Sequence, residues 1–88
     1  MATRIFKYKV LPGLYTHMPK GAQPLSVGQQ GTDIVCWAIV DDQQPGEPRQ
    51  IAAYGTGHPL NGDPGRFIGT VQMDDGLVFH FFDQGEAG

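Results

Sequence analysis

Apolar and polar residues alternate along most of this chain with a period of two. Between Arg4 and Val10 the even positions Phe6, Tyr8 and Val10 are apolar, with Lys7 and Lys9 between them, the pattern of a strand with one buried side. Leu11-Pro12-Gly13 suits a type II turn, and Leu14 to Met18 reads as a short return strand. Leu25 to Gln29 alternates again, with Leu25 and Val27 on one side and Ser26 and Gly28 on the other. Ile34 to Val40 is apolar at every position. That predicts a central strand covered on two sides or lining a closed barrel, and its β-branched residues favour strand over buried helix.

Asp41 to Pro48 is polar, contains Pro45 and Pro48, and predicts a surface loop. Arg49 to Gly57 follows as a strand, Ile51 and Ala53 facing one way and Ala52, Tyr54 and Thr56 the other. Gly55 to Arg66 is irregular. Phe67 to Met73 and Leu77 to Phe82 predict a hairpin about Asp74-Asp75-Gly76, residues that permit a tight turn. The polar tail Asp83 to Gly88 is expected to fray. The expectation is an all-β domain over residues 4–82, a small antiparallel barrel or sandwich of six to seven short strands with little or no helix, and a flexible tail over 83–88.

Composition tightens this picture. The chain has 88 residues, room for one domain. Its 13 Gly and 7 Pro argue against long helices. Six Lys and Arg against nine Asp and Glu give a net charge of −3, and no basic cluster exceeds the alternating Lys7 and Lys9. Direct nucleic-acid binding is therefore disfavoured. A single cysteine, Cys36, cannot form an intramolecular disulfide and fits a reducing cytoplasm. No apolar run reaches the roughly 20 residues of a membrane helix.

The candidate site is the long loop, since a loop of about a dozen residues in so small a domain is usually functional or mobile. It gathers Tyr54, Thr56, Gly57, His58, Asn61, Asp63 and Arg66. Backbone N–H groups about Gly55 and Gly57 could converge on an anion, with Arg66 adding charge. The competing reading takes those glycines as turn and bulge formers, with His58 hydrogen-bonded into the loop. His17, His58, His80 and Cys36 show no paired ligand spacing, so no metal and no cofactor is expected. His80, among Val78, Phe79, Phe81 and Phe82, reads as a core-edge group donating to a carbonyl, and Cys36 as a small buried hydrophobe. Ser26, the only serine, lacks a nucleophile elbow, and Asp41-Asp42 and Asp74-Asp75 do not resemble an acid and base held across one bond. No enzymatic activity is expected. Five Phe, three Tyr and one Trp are many rings for a small core. Strands apolar on both faces need a closed barrel, a partner protein or a second copy to cover them.

Phe6-Lys7-Tyr8, Pro24-Leu25-Ser26-Val27, Cys36-Trp37-Ala38-Ile39-Val40-Asp41, Tyr54-Gly55-Thr56-Gly57-His58-Pro59-Leu60, Phe67-Ile68-Gly69-Thr70-Val71-Gln72 and Leu77-Val78-Phe79-His80-Phe81-Phe82 resemble a family of short bacteriophage and prophage proteins with no assigned activity. The resemblance runs from about residue 4 to about residue 82 and implies a phage setting, within the host cytoplasm, rather than a mechanism. Small acidic proteins of that setting often act by blocking host proteins. The expected function is therefore a non-enzymatic accessory protein that binds and inhibits a host defence component, an anti-CRISPR-like role, through acidic contacts at Asp41, Asp42, Glu47, Asp74 and Asp75. A nucleotide-binding module using the 55–66 loop and a structural virion protein assembling through strand edges are the alternatives.

Overall fold

Seven strands build two antiparallel sheets in the computed structural model, which describes residues 2–87. The strands are β1 (Thr3–Lys9), β2 (Thr16–Pro19), β3 (Gln23–Gln30), β4 (Asp33–Asp41), β5 (Gly46–Gly55), β6 (Arg66–Gln72) and β7 (Val78–Glu86). One sheet has the order β1-β4-β3 and the other β2-β5-β7-β6. No described residue is helical. The two sheets pack as a small sandwich, and no closed barrel forms.

Alternation places the core between the sheets. Cys36, Ala38 and Val40 of β4 face Ile51, Ile68, Val71 and Phe81, with Val10, Met18 and Ala22 filling the margins. On one side β3 and β6 meet: a Cβ at Gly69 would lie 2.9 Å from Val27 Cγ2, and Gly69 sits at φ +153°. A side chain there would hold the sheets apart, and glycine is the residue that avoids it. Arg66 strengthens the same seam by donating from Nη2 to the buried Pro24 carbonyl.

One buried ion pair crosses β5 and β7. Arg49 Nη1 donates to both carboxylate oxygens of Asp83 at 2.8 Å, and Nη2 donates to Ala22 O at 2.9 Å. Glu86 lies 3.8 Å from the same guanidinium and accepts the Gly21 N–H at 2.7 Å.

Several sequence expectations need correcting. The strand after the Leu11-Pro12-Gly13 turn does not return along β1. Instead β2 pairs with β5 of the other sheet, His17 opposite Pro48. Half of the polar stretch 41–48 is strand, because β4 reaches Asp41 and β5 starts at Gly46, leaving a tight turn in which Gln44 N–H donates to Asp41 O. A bulge between Pro24 and Ser26 turns Leu25 out to 45% exposure and buries Pro24 beside Val27. A second bulge between Phe67 and Gly69 makes Ile68 and Val71 the inward residues. The β4 strand has one true core face; on its other face Trp37 lies against Gly28. Finally, β7 continues to Glu86 through residues assigned to a frayed tail, because Asp83 is held by Arg49 and Ala87 N–H donates to Pro48 O. Gly88 lies outside the described residues.

Candidate functional site

The outward face of the larger sheet carries a row of rings. Because Phe81 is in the core, Phe82 points outward, and its Cα partners Ala52 and Phe67 share that face. The Phe67 and Phe82 rings meet edge to face at 5.5 Å, and Tyr54 meets Phe82 at 5.8 Å, geometries that aromatic quadrupoles favour. Phe67 remains 56% exposed.

The long loop, residues 56–65, folds over part of this face. Gln84 on β7 donates from Nε2 to Tyr54 OH at 3.3 Å and to Pro64 O at 3.2 Å, tying the loop down. Where the loop rejoins the sheet, Gly65 at φ +100° lies so close to β7 that an added Cβ would stand 2.4 Å from Asp83 O. Only glycine fits both the conformation and the gap.

Two clefts with shared lining residues lie here. One of about 180 Å³ is lined by Tyr54, Thr56, Gly57, Leu60, His80 and Phe82 among others. The second, about 430 Å³, shares Gly55, Thr56 and His58 and is walled by Gly76, Leu77, Val78 and Phe79. The His58 ring lies against Gly55, its Cε1 3.0 Å from where a Cβ would stand.

His80 sits in the floor between three strands' worth of contacts. Its Nε2 is 2.8 Å from Thr56 Oγ1 and its Nδ1 is 2.9 Å from Thr70 Oγ1. A neutral imidazole satisfies this by donating to one hydroxyl and accepting from the other. The partners are thus hydroxyls and not the expected carbonyl, and the bridge links the end of β5 to β6 and β7.

The loop residues do not act as one group. Tyr54, Thr56, Gly57 and His58 line the clefts, whereas Arg66 turns away to Pro24 O. Asp63 Oδ1 accepts the Gly65 N–H at 2.9 Å, a local turn contact, and Asn61 is exposed. Two backbone donors of this stretch are engaged: Thr56 N–H donates to Val78 O and His58 N–H to Gly55 O. Arg66 is directed away from the loop's backbone groups.

The acidic residues divide between opposite ends of the sandwich. Asp41 and Asp42 lie where β4 turns into β5, with Glu47 one strand position beyond. Asp42 accepts from Arg4 Nε at 2.6 Å, which holds its carboxyl below the usual carboxylate range. Asp74 and Asp75 lie in the β6–β7 turn at the other end, beside the larger cleft, where Asp75 Oδ1 accepts the Leu77 N–H. His17, His58, His80 and Cys36 are likewise not brought together. Among the described residues no three metal-ligating side chains cluster. Cys36 is wholly buried, and desolvation, with Asp83 adding to it against Arg49 and Arg66, pushes its thiol up to about 11.

Sequence reasoning missed Thr70, Leu77 and Phe67 as site residues. Thr70 and Phe67 belong to a strand that looked like plain alternation, and only the pairing with β7 puts them beside His80 and Phe82.

Fold and site together define a two-sheet antiparallel β domain with an aromatic outer face and a loop-walled cleft. The chain belongs to the family described as a domain of unknown function, DUF7352, whose model it matches over residues 1–88. No curated protein and no solved structure matches it. Among the described residues no helix is long and apolar enough to cross a membrane.

Proposed function

We propose that this chain is a protein-binding module that acts by occupying a partner's surface. In the bacteriophage setting that the sequence resemblance implies, the partner is a host protein, and inhibition of a host defence component remains the role proposed. What supports the reading is the row Tyr54, Phe82 and Phe67, left on the solvent side of a four-stranded sheet with Leu60 beside it at 49% exposure. Phe67 is the exposed ring of the row, with Tyr54 and Phe82 half-buried beside it, and aromatic side chains presented on one rigid face are typical anchors of protein interfaces. Asp74 and Asp75 stand in the β6–β7 turn, at the end of β6 away from Phe67, so the partner surface that the rings themselves fit is apolar. The contacts proposed for Asp41, Asp42 and Glu47 belong to the other end and are not needed by this surface.

The test is retention of bacterial host proteins on the immobilised chain, compared with Phe67→Glu and Glu47→Gln. A specific protein should be held by the wild type and by Glu47→Gln and lost by Phe67→Glu. Retention of nothing by the wild type, or equal retention by Phe67→Glu, would overturn the reading.

A further inference from the structure

Strand β1 stands apart from the others. Only Tyr8 among its seven residues is not exposed, and Ile5 at 61% and Phe6 at 41% are uncovered on opposite faces of the same strand. The bonds that tie it to β4 fix which backbone groups remain open. Val10 N–H donates to Ile34 O, and Asp42 N–H donates to Ala2 O. In an antiparallel ladder these end bonds place the even-numbered residues in the hydrogen-bonded positions against β4. Thr3, Ile5, Lys7 and Lys9 therefore turn their N–H and C=O groups to the other edge, where no strand pairs with them among the described residues.

Lysines commonly guard such edges, but here the cationic heads are drawn back over the chain's own surface. Lys7 Nζ donates to Gln30 Oε1 at 2.7 Å, Lys9 lies 3.4 Å from Asp33, and Arg4 is bound to Asp42. The backbone edge itself is left clear.

We propose that β1 is the contact between two copies of this chain, paired antiparallel about a two-fold axis at Phe6. Two-fold dimers are the commonest closed assemblies, and the register follows from charge and overlap. Hydrogen-bonded pairs across the new edge must join odd-numbered residues with odd-numbered ones. Centring on Lys7 would set its ammonium opposite its own copy, which is unfavourable. Centring on Ile5 leaves Lys9 beyond the paired region. Centring on Phe6 pairs the whole strand, with Ile5 opposite Lys7 and Thr3 opposite Lys9 of the second copy, so no two cations face each other. It also sets Arg4 opposite Tyr8, a cation beside a ring, and Phe6 opposite Phe6. The two β1-β4-β3 sheets then run on as one continuous sheet, and the exposed Phe6 rings cover each other.

The register is tested by cysteine cross-linking of the full chain in a Cys36→Ala background, together with the mass in solution. The wild type is expected to sediment as a dimer. Phe6→Cys is expected to cross-link readily under mild oxidation, since facing residues of a non-hydrogen-bonded pair have Cα atoms about 4.5 Å apart, within disulfide reach. Ile5→Cys should cross-link far more slowly. Ile5→Pro removes a donor that faces only the second copy, and should give a folded monomer with unchanged strand content. A wild type that stays monomeric at the highest soluble concentration would overturn the proposal, as would Ile5→Cys linking as fast as Phe6→Cys. A folded Ile5→Pro variant that remains dimeric would do the same.

Discussion

Arg49 and Asp83, far apart in sequence, form a buried pair in which one guanidinium nitrogen lies 2.8 Å from both carboxylate oxygens while the side chains are only 8% and 10% exposed. The pair joins β5 to the far half of β7, and through Ala22 O it also reaches the segment between β2 and β3. Removing one partner leaves a charge in a place with little water. Arg49→Met is expected to cost about 3–5 kcal/mol, read from the shift of a urea unfolding midpoint. The double variant Arg49→Met with Asp83→Leu should recover part of that loss. Full recovery is not expected, because Ala22 O and the Gly85 N–H also lose their partners.

Directly across from Arg49 stands Thr16, a buried residue whose Oγ1 finds no hydrogen-bond partner. A buried hydroxyl without a partner is a net cost. Thr16→Val keeps the shape and the strand preference and removes the oxygen. It is expected to raise stability by about 1 kcal/mol, and a lowered melting temperature would show that the hydroxyl is needed.

Gly65 is where the loop closes on β7. An alanine there must adopt φ +100° and place its Cβ 2.4 Å from Asp83 O. Left-handed backbone alone costs a non-glycine residue about 1–2 kcal/mol, and the clash adds to it. Gly65→Ala should therefore lose more than about 2 kcal/mol, with increased proteolysis between residues 56 and 65 as the local readout.

The Cys36 thiol gives a signature at alkaline pH. Its folded value of about 11 lies above that of a free thiol, near 8.5, so the native state keeps its proton longer than the unfolded state does. Stability from this group is complete below the unfolded value and is lost as pH rises toward the folded one, at up to about 1.4 kcal/mol per pH unit. Other groups titrate in that window, so the quantity to measure is a difference. The gap in stability between the wild type and Cys36→Ala should narrow between roughly pH 9 and 11; a gap that stays constant would contradict the raised value.

Much of this fold is legible in the alternation, because a half-buried strand must alternate. The alternations at Phe6 and Tyr8 and at Ile51 and Ala53 do fall in strands, but Phe6 and Ala53 stay exposed, and only Tyr8, Val10 and Ile51 reach or border the core. Bulges break the rule locally: at Pro24 to Ser26 and at Phe67 to Gly69 one extra residue reverses the facing of everything beyond it. Sheet membership is hidden for a different reason. Nothing local in Thr16 to Pro19 says that its partner is Gly46 to Arg49 and not the preceding strand. The Asp83 to Glu86 segment looks like a tail because its polar residues are matched by Arg49, Gly21, Tyr54 and Pro64, all distant in the chain. The long loop is legible by its length, and Thr56 and His58 with it. Thr70 and Phe67 are not, since they join the site only through register.

The order of strands also sets a timetable for folding. Of the five strand pairings, only β3 with β4 and β6 with β7 join consecutive strands, and hairpins of this kind close in about 1–10 μs. The pairings of β1 with β4, β2 with β5 and β5 with β7 each require a longer stretch of chain to be brought back first. Refolding should therefore take milliseconds to seconds, as in other domains built on distant contacts. Strand β5 depends on such contacts most, since it must find β7 on one side and β2 on the other.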